Sequence, residues 1–333
     1  MAITWTERQP AGANDKPWYA AASDADGSNL IVGVYGGGGR LYVSSDYGVN
    51  WTETRPKGDT GGTWACVASD SDGSHLIAIE YPGRVYTSSN GGSSWIERRP
   101  NGDADGNWAS VASDDDGSRL VVGENNGRLW TSFNGGSSWS ERRPAGDEDE
   151  YWYSVASDSD GSHLIAGIDL NLYTSASSGS FWSLSKTTAI AWFGVASDSD
   201  GSNLMAGEFN GNLYTSANGG SSWTLSKDGT KPWRAVASDD DGSHLIAGED
   251  DGRLYISSDS GDTWTEEQPA GASNKNWYAA ASDSNGSHLI VGDRTGRLYT
   301  GVIPPPNKPI NPTPADIATG IKLGLLKLTW EAG

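Results

Sequence analysis

Residues 108–144 read WASVASDDDGSRLVVGENNGRLWTSFNGGSSWSERRP. Four short runs stand out: WASVASD (108–114), SRLVVGE (118–124), GRLWTSF (127–133) and WSERRP (139–144). Each is rich in β-branched, aromatic or small residues, and each is bounded by Gly, Asp, Asn or Ser, the pattern of strands separated by tight turns. The turns, DDG, NNG and NGGSS, supply glycines for positive φ and Asx side chains that bond their own backbone. The stretch is therefore expected to form four antiparallel strands.

Working outward, the same text recurs. A first-strand string, W-x-x-[VA]-A-S-D, begins at Trp18, Trp64, Trp108, Trp152, Trp192, Trp233 and Trp277. A second, S-x-[DN]-x-G-x-x-W, ends at Trp51, Trp95, Trp139, Trp182, Trp223 and Trp264, the fourth copy being degenerate with Ser177 where Asp or Asn stands elsewhere. Four-stranded units repeated at a period near 44 residues are the blades of a β-propeller. Seven first strands meet only six boxes, because the last unit stops near Gly301 without a fourth strand. The opening residues ITWTERQP match that missing strand (compare WTETRP and WTEEQP), so the N-terminus is expected to complete blade seven beside residues 297–301. The fold class is thus all-β, a seven-bladed β-propeller over residues 1–301.

Composition fits this reading. The apolar share is 35%, yet 16 Trp and 13 Tyr are present, so much of the core must be aromatic, and 45 Gly residues match frequent turns. The net charge of −20 repels phosphate backbones and anionic lipid, which argues against nucleic acid as the main partner. No apolar run approaches transmembrane length. The lone cysteine, Cys66, falls at a small-residue position of its repeat and is read as a core residue rather than a nucleophile.

The six boxes resemble the Asp-box, or BNR, repeats of sialidase-like propellers. The resemblance implies that each box is the turn between the third and fourth strands. Asp46, Asn90, Asn134, Asn218 and Asp259 would cap backbone N–H groups there, the Gly two positions on would turn left-handed, and the box Trp would anchor the turn. It further implies that the box is not the active site and that ligands sit on the opposite face. Residues 302–333 begin with a Pro-rich linker and resemble the opening of a fibronectin type III or Ig-like module. The expected setting is a monomeric propeller within a larger modular protein, extracellular or at the cell surface.

On the face opposite the boxes, the 2–3 loops carry Glu124, Glu208, Glu249 and Asp293 with Arg128, Arg253 and Arg297, and the interblade loops end just before the first-strand Trp residues. Indole faces stack on sugar rings and carboxylates bond their hydroxyls, so a binding rim of Trp18, Trp64, Trp108, Trp152, Trp192, Trp233 and Trp277 with these charges is one reading. For any single Trp, packing between blades is the preferred alternative. The SDxDG turns (Asp24/Asp26 through Asp239/Asp241, with Asp283 and Asn285 last) are read as Asx-rich hairpin turns, calcium being the alternative, since calcium takes six to eight oxygens and no Glu follows at EF-hand spacing. His75, His163, His244 and His288 occupy one repeat position, and sevenfold geometry keeps them from converging.

The F/Y-R-I-P motif and arginine cluster of sialidases are absent, and the chain is too short to resemble the two-propeller xyloglucanases. The expected function is non-catalytic binding. Multivalent glycan recognition by the rim is the first reading, a protein-binding scaffold without sugar affinity is the alternative, and glycoside hydrolysis ranks third. The resemblance also extends to photosystem assembly factors. Any unique site is expected where the repeats break, at blades four and five.

Overall fold

The computed structural model describes residues 3–304 and contains no helix among them. Seven antiparallel sheets follow in order. In blade three the strands are Trp108–Ser113, Leu120–Gly127, Leu129–Ser132 and Ser140–Arg142, with Val111 opposite Val122 and Val122 opposite Trp130. This sheet also carries a short extra strand, Glu150–Tyr151, against its 2–3 hairpin. In blade four the first strand is shorter than the repeat suggests, Ser154–Ser157. The N–H of Tyr153 donates to both Tyr151 O and Gly167 O, so the chain at Trp152 is only entering the sheet.

Closure is as the repeat count requires. Thr4–Arg8 pairs antiparallel with Leu298–Val302, Trp5 opposite Gly301, and so supplies blade seven with its fourth strand. Trp5 packs on the last interblade core, and its Nε1 donates to Glu267 Oε2 at 3.0 Å. The last strand ends at Val302. The linker and module expected over residues 302–333 lie, from residue 305 on, outside the described residues.

The core is divided among seven interblade clusters rather than pooled. In each, the first-strand Trp of one blade inserts against the preceding blade. Trp64, for example, packs with Ala20, Ile31 and Leu41 of blade one and with Val67, Leu76 and Tyr86 of its own blade. The second strand of the preceding blade makes room with a glycine. A Cβ on Gly207 would lie 2.4 Å from Trp233 Cβ, and one on Gly248 would lie 2.6 Å from Trp277 Cβ. Blade two departs from this, with Ile79 packing beside Trp108. Burying one indole removes roughly 150–250 Å² from water, about 4–6 kcal/mol at most on area grounds.

First strands of neighbouring blades contact one another all the way round and so line the axis. At the end formed by the SDxDG turns a ring of main-chain hydrogen bonds links every blade to the next. N–H groups of Ala25, Ser71, Asp115, Ser159, Ser199, Asp240 and Ser284 each donate to the carbonyl of the next member, and Ser284 returns to Ala25, all at 2.9–3.0 Å.

Candidate functional site

The seven first-strand tryptophans are between 0% and 2% exposed. Their ring faces are covered by the neighbouring blade, and four of the indole N–H groups bond a glycine carbonyl inside, as Trp64 Nε1 donates to Gly39 O at 3.3 Å and Trp233 Nε1 to Gly211 O at 3.0 Å, while that of Trp192 is buried without a partner. A sugar stacked on any of them would have to displace a blade interface, so the rim reading is corrected here in favour of packing. The reason lies in the strand's period: Trp and the residue two further on face the interblade core, and the residue between them faces the axis.

The rim charges are likewise internal furniture of their loops. Glu208, Glu249 and Asp293 are buried. Each sits cross-strand from its Trp and accepts N–H groups of its own hairpin: Asn212 N to Glu208 Oε2 at 2.8 Å, Arg253 N to Glu249 Oε2 at 2.9 Å, Thr295 N to Asp293 Oδ1 at 2.9 Å. Glu124 accepts Asn101 Nδ2 at 3.1 Å, and burial pushes its carboxyl above the usual range. Arg128 donates to the carbonyls of Gly146, Asp147 and Glu148, Arg253 to Ala272 O, and Arg297 pairs with Asp15 at 2.7 Å. These arginines fasten the interblade loops to the hairpins.

The six box turns share one construction. In blade three, Ser132 Oγ accepts the N–H groups of Asn134 and Gly136, Asn134 Oδ1 accepts Ser138 N at 2.8 Å, and Trp139 Nε1 donates to Gly136 O at 3.0 Å. Gly136 has φ +78°, as the turn requires. Asp46, Asn90, Asn218 and Asp259 accept the corresponding N–H groups, and Trp51 and Trp95 donate to their box glycines as Trp139 does, whereas Trp223 and Trp264 donate to Ser185 and Ser226 of the preceding blade; Ser177 accepts Phe181 N in the degenerate copy beside Trp182. The side chains hold the turn and leave no reactive group free.

The histidines do not converge across the ring, but within a blade each meets the buried Asp of its own turn. His75 Nδ1 lies 2.7 Å from Asp70 Oδ2 and His163 Nδ1 lies 2.7 Å from Asp158 Oδ2. Among the described residues Asp70, Asp72 and His75, and again Asp239, Asp241 and His244, bring ligand atoms within 4.8 Å of one another. Three donors fall well short of a calcium shell, and the carboxylates already bond Ser74 and Ser243. Cys66 lies along the axis, where burial pushes its thiol up, away from nucleophilic use.

What sequence reasoning missed is the residue just after each Trp. In blade order these are Tyr19, Ala65, Ala109, Tyr153, Phe193, Arg234 and Tyr278. All seven line one cavity of about 460 Å³ at the axial mouth opposite the box turns. The first residue of each 2–3 loop is pinned above them. Six of these loop residues donate a backbone N–H to the carbonyl preceding the Trp, for example Tyr35 to Pro17 O at 2.9 Å and Phe209 to Ala191 O at 2.7 Å. Tyr19 stacks on Tyr35 at 4.3 Å between ring centroids and meets Tyr278 at 4.6 Å; Phe193 meets Tyr153 at 4.4 Å and Phe209 at 4.7 Å. Burial raises the Tyr19 phenol from the ordinary 10.0 to about 12. Tyr153 donates to Asp169 Oδ1 at 2.9 Å and Tyr278 to Asp250 Oδ2 at 2.7 Å, and burial, reinforced by these bonds, raises both phenols. The signal was present in the sequence: near-identical repeats diverge at this position. Tyr153, Phe193 and Phe209 belong to blades four and five, where the repeats also break.

No family model matches the chain, and no curated protein does. Solved structures do. YCF48 bound to a D1 peptide is similar with a TM-score of 0.68 at 15% identity, over 91% of this chain and 97% of that one. YCF48 from Cyanidioschyzon merolae gives 0.66 at 18%, over 89% and 98%. The GH74 xyloglucanase from Xanthomonas campestris gives 0.65 at 18%, over 90% of this chain and 53% of that one. At such identities the likeness speaks for architecture alone, and the architecture is that of a seven-bladed β-propeller.

Proposed function

We propose that this chain is a non-catalytic binding propeller that takes one ligand at the axial mouth opposite the box turns, the ligand being a peptide segment or a comparable ring-bearing group. The observation that carries the reading is where the seven repeats differ. They agree at the buried Trp and diverge at the residue beside it, which lines the cavity in every blade, whereas the two positions that follow also line it but are small or aliphatic throughout. A cavity of about 460 Å³ lies within the roughly 300–1,000 Å³ range of ligand sites, and aromatic walls with few polar groups are their usual lining. One of the similar propellers, YCF48, is bound to a D1 peptide, which favours a peptide over other ring-bearing ligands. A sevenfold lectin loses support because its seven indoles are covered. Glycoside hydrolysis asks for a pair of available carboxylates. Those nearest the mouth, Asp169 and Asp250, accept tyrosine hydroxyls, and those of the 2–3 loops hold their own turns.

The test is to screen the wild-type chain and its Ala109→Trp variant against a glycan array and a peptide library, with chromogenic glycosides as a third arm. Trp at position 109 fills the mouth from its most open side. The expected result is a peptide ligand that binds the wild type and is lost from the variant. Ligands held equally by both proteins would place binding elsewhere, and turnover of a glycoside would overturn the non-catalytic assignment.

A further inference from the structure

The axial mouth is not evenly lined. In a ring of seven, the positions farthest from blade six are blades two and three. Arg234 therefore faces Ala65 and Ala109 across the axis. Tyr278 and Tyr19 form one flank, in contact at 4.6 Å, and Phe193 and Tyr153 form the other, in contact at 4.4 Å. The result is a slot with two aromatic walls, a cation at one end and a gap at the other.

Arg234 is the only charged side chain lining this cavity among the described residues. Its guanidinium is held by rings, with its central carbon 4.2 Å from the Phe193 centroid, 4.7 Å from Tyr278 and 5.6 Å from Phe209. Such contacts fix the plane of the guanidinium and strip water from its faces. The buried Nε makes no hydrogen bond. Its nearest carboxylate oxygen, Asp250 Oδ2, is 3.4 Å away and already accepts the Tyr278 hydroxyl, which in turn accepts Arg294 Nη1 at 2.8 Å. The Arg234 Nη atoms hydrogen-bond to no described residue. An oriented guanidinium whose only ion pair is through Nε to Asp250, and whose Nη donors are left for a ligand, is matched by a carboxylate that can accept two N–H groups at once.

We infer that the slot is a receptor for a carboxylate borne on a ring-bearing body: the anion meets Arg234, the ring lies between the tyrosine and phenylalanine walls, and the remainder leaves over the alanines. This rests on the mouth being the binding site. The free C-terminal residue of a peptide and a small aromatic acid share this chemistry.

Two probes with the same ring separate the carboxylate from the body: N-acetyl-tryptophan and its primary amide, titrated by calorimetry. The acid is expected to bind the wild type about tenfold tighter or more. Arg234→Gln should abolish the preference, bringing the acid down to the affinity of the amide, and continued binding of the amide by the variant shows that the mouth still forms. Arg234→Lys keeps the charge but not the fork and should recover only part of the preference. Equal binding of acid and amide, a preference that survives Arg234→Gln, or binding of neither probe would overturn the inference. A peptide ending in tryptophan, with free or amidated C-terminus, distinguishes the sources: the free form exceeds N-acetyl-tryptophan in affinity if a chain end is the ligand, and fails to bind if only small acids fit. A ligand from the library screen that is lost with Ala109→Trp yet indifferent to Arg234→Gln would leave the mouth assignment standing and remove the carboxylate.

Discussion

Trp18 and Tyr19 are adjacent in sequence and have opposite fates. One is sealed between blades; the other looks into the axial cavity. The pattern W-x-x-[VA]-A-S-D made the first legible, because a large invariant side chain among small ones has to be filling a space. The second was hidden in the x, since a variable position in a repeat reads as indifferent until the strand's alternation and the ring's symmetry are both known. Protonation provides a test at this scale. Burial raises the phenols of Tyr19 and Tyr299 from the ordinary 10.0 to about 12. The unfolded chain then releases these protons first as pH rises, so the native state binds more protons through that window. Folding stability is expected to be unaffected by these groups below pH 10 and to fall as pH climbs towards about 12. Urea midpoints measured across that range, beside a spectrophotometric phenolate titration, check it. Tyr19→Phe should remove part of the slope.

At the scale of the element, the SDxDG turn does two jobs at once. Its Asp closes the hairpin: Asp114 Oδ1 accepts Arg119 N at 3.0 Å, and Asp116 Oδ1 accepts Ser118 N at 2.8 Å. Its glycine receives the previous blade. Gly117 has φ +71°, and a Cβ there would lie 2.4 Å from His75 Cβ of blade two. Gly117→Ala therefore meets both backbone strain and overpacking, and a loss of about 2–4 kcal/mol is expected by urea denaturation. The sequence made the Asx-rich turn readable. The packing of His75 on the neighbouring glycine was out of reach, because it joins residues 42 positions apart and depends on how closely two blades approach. The box turns were the more legible case. The bonds their Asp and Asn side chains accept from the turn backbone span four residues, so local chemistry sufficed to assign Asp46, Asn90 and their counterparts a capping role.

For the whole molecule, the count of seven and the closure by the N-terminal strand could be read from the repeats, since a unit lacking one strand and a segment supplying one had to meet. What symmetry could not supply was the asymmetric lining of the axis, which arises only when seven x residues are brought side by side. Closure itself can be tested. Thr4 and Val302 are exposed partners across the last strand pair. A Thr4→Cys/Val302→Cys cross-link would close a loop that spans nearly the whole ring, and chain-entropy reasoning gives it up to about 5 kcal/mol. The oxidised variant is expected to melt at a higher temperature than its own reduced form, with Cys66 replaced by Ala to prevent mispairing.

The hoop of main-chain hydrogen bonds from Ala25 round to Ser284 separates inheritance from invention. Each blade offers one donor and one acceptor that belong to the backbone, so any copied blade arrives already able to grip both neighbours. The side chains at the hoop are free to be Ala, Ser or Asp without loosening it. One face of the disc can thus be duplicated wholesale while the opposite face is edited one letter per blade, and a molecule made by repetition acquires a single, unrepeated address.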